Sequence, residues 1–400
     1  MVRARHGAPS GGRSLPRRGV GTALGSGATV APRRAGSVGF FAPSGYLPDP
    51  TVMDRAADFF AARGWRVSAG ESVFAREQRF AGSDELRAGE LQRFATDRSL
   101  DVAIAARGGY GLTRILGEFD YQAIAAAGVP LVGYSDFTAF NLALLAQAGG
   151  ISFQGPAASD FFLDEAAPDA RRDLANARFN QEHFFAAISS AEHTTQFAGD
   201  AQAARHDGLD LRGRLWGGNL AMVCSLLGTP YFPQVRGGIL FLEDVNEPAY
   251  RIERLLLQLL QAGVLARQKA IVLGEFCAVP VLPTDNGYDL AAVWEALRSR
   301  CPVPIIGGLP LGHGSRRATL AVGAAARITV CRAPPAIAGL ASLAPPTPGH
   351  GATGTASAPA HGEPSSAVTV SLRFGGHPTL RAVSAAVSGG RREAGRKIPA

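Results

Sequence analysis

The sequence predicts an α/β protein in which a largely parallel sheet carries helices on both faces. Two observations lead there. From residue 38 to residue 153, short apolar runs alternate with stretches of helical spacing, as βαβ units require. Past residue 211 the alternation starts again behind a polar stretch, so the 400 residues suit two domains of ordinary size.

Residues 38–42 are an apolar run ending in Pro43-Ser44-Gly45, a strand followed by a turn. Residues 50–63 have helical spacing in Val52, Ala56, Phe59 and Phe60, and Gly64 closes them. Residues 65–69 read as a second strand. Residues 84–98 read as a helix with Leu86, Leu91 and Phe94 on its buried side. A third strand, 102–106, ends in Arg107-Gly108-Gly109-Tyr110-Gly111. A fourth, 130–134, runs straight into a helix over 136–148, and 151–153 form a fifth. Residues 155–205 are polar and mixed, with one helix expected around 169–188. The second domain starts near Leu211, and Gly217-Gly218-Asn219 opens a helix over 219–227. Strands are expected at 239–242, 270–274 and 303–306, with helices at 251–262 and 289–300 between them. Strand pairs are expected within 318–330. Residues 368–374 alternate like an edge strand of that domain.

These elements divide the chain into a basic extension (1–36), an N-terminal α/β domain (37–160) and a crossing segment (161–205). A C-terminal domain (206–332) follows, then a low-complexity insertion (333–366), a final strand (367–382) and a basic tail (383–400). The Pro/Ala/Gly/Ser tract buries too little surface to offset its ordering entropy, so disorder is expected there and in the extension. The net charge of +7 suggests nucleic acid until it is located. Residues 1–35 carry +7 and residues 381–400 carry +4, which leaves −4 for the body between them. That is a poor footprint for phosphate backbones, and no nucleic-acid partner is expected. No apolar run approaches about 18 residues, so no membrane span is expected. Arg17-Arg18 imitates an export signal, but residues 19–31 are too Gly-rich for its apolar core. Cys224, Cys277, Cys301 and Cys331 are dispersed without a C-x-x-C, which suits a reduced, cytoplasmic protein.

Four segments could carry chemistry. Ser135 stands at a strand-to-helix turn, where helix N-terminal N–H groups could receive a developing oxyanion. The G-x-S-x-G elbow is incomplete, because Phe137 occupies the place of its second Gly. A helix cap is the commoner role for such a serine. The 107–111 loop allows close backbone approach to a ligand, or is a plain tight turn. It lacks the spacing of a dinucleotide or phosphate cradle, so no cofactor is expected. Glu243 and Asp244 end an apolar strand, and only one of them can face a given site. Either could orient a histidine or simply end the strand in solvent. Of the eight histidines, His313 in Gly312-His313-Gly314-Ser315 is the best general-base candidate by elimination, a surface loop being the alternative. No H-E-x-x-H, close His pair or Cys cluster points to a metal.

Taken together and in order, the segments resemble a known family. They are Ala42-Pro43-Ser44-Gly45, Arg107-Gly108-Gly109-Tyr110-Gly111, Gly133-Tyr134-Ser135-Asp136-Phe137-Thr138 and Leu215-Trp216-Gly217-Gly218-Asn219-Leu220. Leu242-Glu243-Asp244-Val245-Asn246-Glu247, Arg251-Ile252-Glu253-Arg254 and Gly312-His313 complete the set. This wording resembles the LD-carboxypeptidases, most of all the muramoyltetrapeptide carboxypeptidases of murein recycling. The resemblance covers residues 38–331, and 367–382 look like the family's final strand and turn.

The resemblance implies a flavodoxin-like N-terminal domain with a parallel sheet and a smaller C-terminal domain with barrel-like β content. It implies a Ser-His-Glu triad shared between them, usually in a homodimer. Ser135 matches the nucleophile, Glu243 the triad acid and His313 the base. The oxyanion donors map to the backbone N–H groups of Gly109 and Asp136, and Gly108, Tyr110 and Asn219 are carried over as substrate contacts. The implied reaction removes D-Ala from a murein tetrapeptide, after L-Lys or meso-diaminopimelate. Immunity-type relatives that cleave a peptide–nucleotide amide are the alternative within the family. A non-catalytic peptide-binding protein is the alternative outside it. Three features depart from the family's pattern: the extension before residue 37, the 333–366 tract, and Tyr134 where His often precedes the nucleophile.

Overall fold

The computed structural model describes residues 36–161, 170–314, 316–332 and 368–380. The extension, the low-complexity insertion and the basic tail foreseen above lie outside them. In chain order the first half contains β1 (Ser37–Phe41), α1 (Thr51–Ala61), β2 (Arg66–Ala69), α2 (Asp84–Thr96) and β3 (Val102–Ala105). Then come α3 (Leu112–Ile115), α4 (Tyr121–Ala127), β4 (Leu131–Gly133), α5 (Thr138–Ala148) and β5 (Ser152–Gln154). The second half contains α6 (Ala170–Ser189), β6 (Glu192–Ala198), β7 (Asp210–Asn219), α7 (Leu220–Ser225), β8 (Ile239–Val245), α8 (Ala249–Gln261) and β9 (Ala270–Cys277). It ends with α9 (Leu290–Arg300), β10 (Ile305–Gly307), β11 (Leu320–Val322), β12 (Ala325–Arg332) and β13 (Val368–Gly375).

The first sheet has the order β11-β5-β4-β3-β1-β2. Its pairs from β2 to β5 are parallel. Parallel strands covered on both faces cannot alternate polar and apolar residues. β1, β3 and β4 accordingly read as unbroken apolar runs and are wholly buried. Helix α1 buries Met53, Ala56 and Phe60, and Gly64 turns the chain back at φ +76°. Ser83 caps α2 by accepting the Leu86 N–H at 3.2 Å, and Leu91 and Phe94 are buried as expected.

The second sheet has the order β10-β9-β8-β7-β12-β13-β6. β7 to β10 are parallel, and the remaining pairs are antiparallel. Its two edges meet where the Asp200 N–H donates to the Gly307 carbonyl at 3.1 Å. The Arg298–Asp200 ion pair, at 2.8 Å, braces that seam. The sheet therefore curls toward a barrel.

Four expectations need correction. The helix expected over 136–148 opens as a 3-10 turn, Ser135–Phe137, and α5 starts at Thr138. The 161–205 segment does more than cross: β6 pairs antiparallel with β13. It escaped notice because Glu192-His193-Thr194-Thr195-Gln196 is polar and only Thr195 and Phe197 of the strand are buried. β13 is consequently internal, not an edge. The stretch 318–330 splits between sheets. β11 pairs antiparallel with β5 of the first sheet, while β12 joins the second. Leu320, Ala321 and Val322 are all fully buried, so their pattern could not announce which sheet they enter.

The two sheets meet at Gly218. Its φ is +138°, and a Cβ there would stand 2.5 Å from Thr138 Oγ1 at the start of α5. The Asn219 N–H donates to that same hydroxyl at 3.1 Å. Three of the eight histidines fasten α6 to the second sheet. His183 on α6 and His193 on β6 have ring centroids 5.5 Å apart, and His193 lies 5.5 Å from Phe374 of β13. His377 Nε2 hydrogen bonds the Ala187 carbonyl of α6 at 2.8 Å.

Gly218→Ala is expected to cost about 2–4 kcal/mol, from positive-φ strain plus overpacking. Gly64→Ala, where φ is also positive but nothing stands within 4 Å, is expected to cost about 1 kcal/mol. Denaturant midpoints check this, and equal losses at the two sites would refute the close contact. Burial lowers the pKa of all three histidines, His183 from 6.5 to about 4. They are neutral in the fold, so acidification charges the unfolded chain first. Stability should therefore fall as pH drops from 6.5 toward 4. Thermal melts across that interval should slope less steeply in His183→Phe, and an unchanged slope would remove His183 from the cause.

Candidate active site

Ser135 follows the carboxyl end of β4 and sits at φ +61°, a left-handed conformation that costs a non-glycine residue about 1 kcal/mol or more. The cap reading does not hold there. Neither the 3-10 turn nor α5 has a side-chain cap hydrogen bond. What holds the turn is the next residue. The Asp136 carboxylate is 1% exposed, and its Oδ2 accepts the Ser44 hydroxyl at 2.7 Å and the Leu112 N–H at 2.9 Å. One buried carboxylate thereby joins the turns that follow β1, β3 and β4. Burial pushes its pKa up, and the Leu112 and Ser44 hydrogen bonds offset part of that rise. Sequence reading assigned Asp136 only a backbone role. The signal it missed was Ser44, a lone hydroxyl between Pro43 and Gly45 at a neighbouring strand end.

The 107–111 loop backs directly onto Ser135. A Cβ on Gly108 would lie 2.8 Å from the Ser135 Cβ and 3.1 Å from its Oγ, so any larger residue would push against the serine. The Gly108 carbonyl accepts the Gly45 N–H at 3.1 Å. Gly109 takes φ +107°. Tyr110 is exposed, with its ring 5.8 Å from that of Phe80.

Glu243 lies near the end of β8, fully buried. The β8–β9 register shifts between Leu242 and Asp244, an irregularity of the kind that re-aims side chains beside sites. Glu243 Oε2 stands 2.8 Å from His313 Nδ1. Its Oε1 has no hydrogen-bond partner among the described residues. Asp244 goes the other way. It accepts the Asn219 Nδ2 and Ala221 N–H groups at 3.0 Å each, and burial pushes its pKa up to about 6. Asn219 in turn caps α7 by accepting the Met222 N–H at 3.2 Å. The side chain foreseen as a substrate contact is thus committed to holding the start of α7.

His313 follows β10 on a loop that lies close against Glu275 at its glycines. A Cβ on Gly312, at φ +156°, would lie 2.8 Å from the Glu275 Cβ, and one on Gly314 would collide with the Glu275 carboxylate. The imidazole stands edge-on to Tyr134, centroids 5.1 Å apart. Gly108 packs on Ser135, and His313, bonded to Glu243, stands against Tyr134, the residue before Ser135. These residues lie at or beyond the carboxyl ends of parallel strands in both sheets, where such folds place ligands. Sequence reading missed Arg317, which is 7% exposed and pairs with Asp160 at 2.7 Å. Arg316 and Arg317 are the only charges between residues 302 and 325, a signal that could have marked them.

A hydroxyl on a strained turn, a glycine loop packed against it and a carboxylate-held imidazole suit nucleophilic acyl transfer. Among the described residues no group of three His, Cys, Asp or Glu side chains could hold a metal ion, and no helix is long and apolar enough to cross a membrane.

Comparison with known proteins finds relatives that span both sheets. Residues 38–155 match the LD-carboxypeptidase N-terminal domain, and residues 212–328 match the LD-carboxypeptidase C-terminal domain. A probable murein peptide carboxypeptidase of Bacillus subtilis is 30% identical over 291 residues, 72% of this chain and 88% of the relative. The crystal structure of muramoyltetrapeptide carboxypeptidase from Oxalobacter formigenes superposes with a TM-score of 0.68 at 34% identity, covering 86% of this chain and 100% of that one. The microcin C7 self immunity protein MccF, solved with aspartyl sulfamoyl adenosine, shares the fold at a TM-score of 0.64 and 22% identity, covering 75% of this chain and 95% of that one. Carrying both halves of the family in order, and spanning nearly nine tenths of a 30%-identical relative, this chain belongs to the LD-carboxypeptidase family.

Proposed function

We propose that this chain is a serine-type LD-carboxypeptidase that hydrolyses the terminal D-Ala from murein tetrapeptide, at the bond after L-Lys or meso-diaminopimelate. The observation that carries the reading is the 2.8 Å Glu243–His313 contact, on an imidazole packed against Tyr134, the residue before a serine held at φ +61°. Glu243 fixes the imidazole with its proton on Nδ1 and favours the imidazolium. Nε2 then takes the Ser135 proton as Oγ attacks the substrate carbonyl. The backbone N–H groups of Gly109 and Asp136 receive the oxyanion, and Gly108 and Tyr110 flank the peptide. His313 returns the proton to the D-Ala nitrogen as the C–N bond breaks. Water, deprotonated by the same imidazole, hydrolyses the acyl-enzyme and frees the tripeptide. The murein branch is favoured over the immunity branch by identity, 34% against 22%. The reading extends to a homodimer in the cytoplasm, as family analogy suggests.

Purified protein should release D-Ala from murein tetrapeptide. Ser135→Ala should lower kcat by at least about 10³-fold, and Glu243→Gln by about 10²–10⁴-fold. Wild-type turnover by the serine variant would sink the triad. Preferential cleavage of a peptide–nucleotide amide would move the chain to the immunity branch, and binding without turnover would make it a capture protein. Gly108→Ala should cut kcat about 10–100-fold while the melting temperature changes little, because the new methyl displaces Ser135. Steady-state kinetics with a thermal melt separate the two effects.

A further inference from the structure

We propose that Arg317 is a positioning residue for His313, working through Tyr134 and through its own charge. This rests on the triad reading above.

The groups around the imidazole are unevenly charged. From β8, Glu243 bonds Nδ1. From β9, Glu275 lies against Gly312 and Gly314 on either side of His313, and Cys277 is close by, its pKa raised by burial and then by Glu275 and Glu243. From the first sheet comes the neutral Tyr134, whose phenol burial pushes above its ordinary range. Glu243 thus bonds the imidazole itself, and the Glu275 carboxylate lies against the backbone of the same loop. Negative charge beside an imidazole favours its protonated form, and a protonated base cannot take a proton.

Three arginines are near enough to oppose the two carboxylates. Arg107 reaches the Tyr46 carbonyl at 2.6 Å, and Arg316 reaches Asn176 Oδ1 at 3.1 Å, so both are drawn elsewhere. Arg317 is drawn inward. Its guanidinium carbon stands 4.3 Å from the centre of the Tyr134 ring, and that ring is 5.1 Å from His313. Burial works against its charge, but Asp160, Tyr134, Glu243 and Glu275 outweigh burial and hold the guanidinium protonated.

The placement is built from both sides of the chain. Asp160 accepts Nη1 at 2.7 Å, and Asn180 on α6 accepts the Arg317 backbone N–H at 2.6 Å. The segment between the two sheets thereby grips the loop that carries His313. A buried ion pair is weak evidence for stability, since apolar residues of similar volume often serve as well. A cation stacked on the residue before the nucleophile does something an apolar side chain cannot. It offsets two carboxylates while the intervening ring sets where the imidazole stands.

The test uses the full chain and two readouts between pH 5.5 and 9: labelling of Ser135 by a fluorophosphonate, which needs no peptide substrate, and D-Ala release. Arg317→Met should move the acid limb of both profiles to higher pH by about half to one unit. The deficit should be about three- to tenfold at pH 6 and should shrink by pH 8.5. Arg317→Lys keeps the charge and should restore the wild-type limb. A deficit in Arg317→Met that is uniform across pH would overturn the inference and leave Arg317 a structural residue. Should that variant not fold, Tyr134→Leu carries the test. It should lower kcat five- to tenfold with KM within twofold, and a loss expressed in KM alone would overturn the inference. Labelling without D-Ala release would fault the substrate and not the positioning. A wild type that never labels would overturn the triad, and this inference with it.

Discussion

Removing the Glu243 carboxylate wholly from water costs several kcal/mol unless partners repay it, and His313 supplies a partner at 2.8 Å. Much of the architecture follows from keeping that pair intact. Glu243 needs the β8–β9 irregularity to aim at the site while Asp244 turns to hold Asn219 and the first turn of α7. His313 needs Gly312 so that its loop can lie against Glu275. The two residues stand seventy positions apart, on elements that meet only because β8, β9 and β10 are adjacent.

The nucleophile side obeys a parallel constraint. A positive φ at Ser135 persists only where the surroundings over-determine it. Here the Asp136 carboxylate ties together the turns after β1, β3 and β4, and Gly108 closes over the serine with no side chain of its own. The strain and the buried carboxylate belong together, since each is tolerable only because the other turns are fixed.

Between these two clusters the chain is laced rather than simply linked. β11 returns to the first sheet after the second is nearly complete, and α6 and β6 connect the first sheet to the far edge of the second. Thr138 at the head of the Ser135 helix is fitted against Gly218 of β7. Geometry that spans two sheets is thereby fixed by contacts on three sides.

Much of this was legible in the residues alone, and for physical reasons. Strands buried on both faces are largely apolar, so β1, β3, β4 and the first four residues of β8 stand out, and α1 and α2 announce themselves by spacing. Ser135, Glu243 and His313 could be named because each ends a strand or its turn, and the order of their motifs resembled one family. By local pattern Ser135 was more readily a cap and His313 more readily a surface loop residue. Tertiary structure decided what pattern could not. It placed polar β6 beside β13, sent β11 to the first sheet and committed Asn219 to a helix start. It also turned the Asp136 side chain into a brace and brought Arg317 over Tyr134. Periodicity records which face of an element is buried. Which partner covers that face, and which polar groups meet across it, depends on pairings between residues far apart in the chain, and these exist only once it has folded.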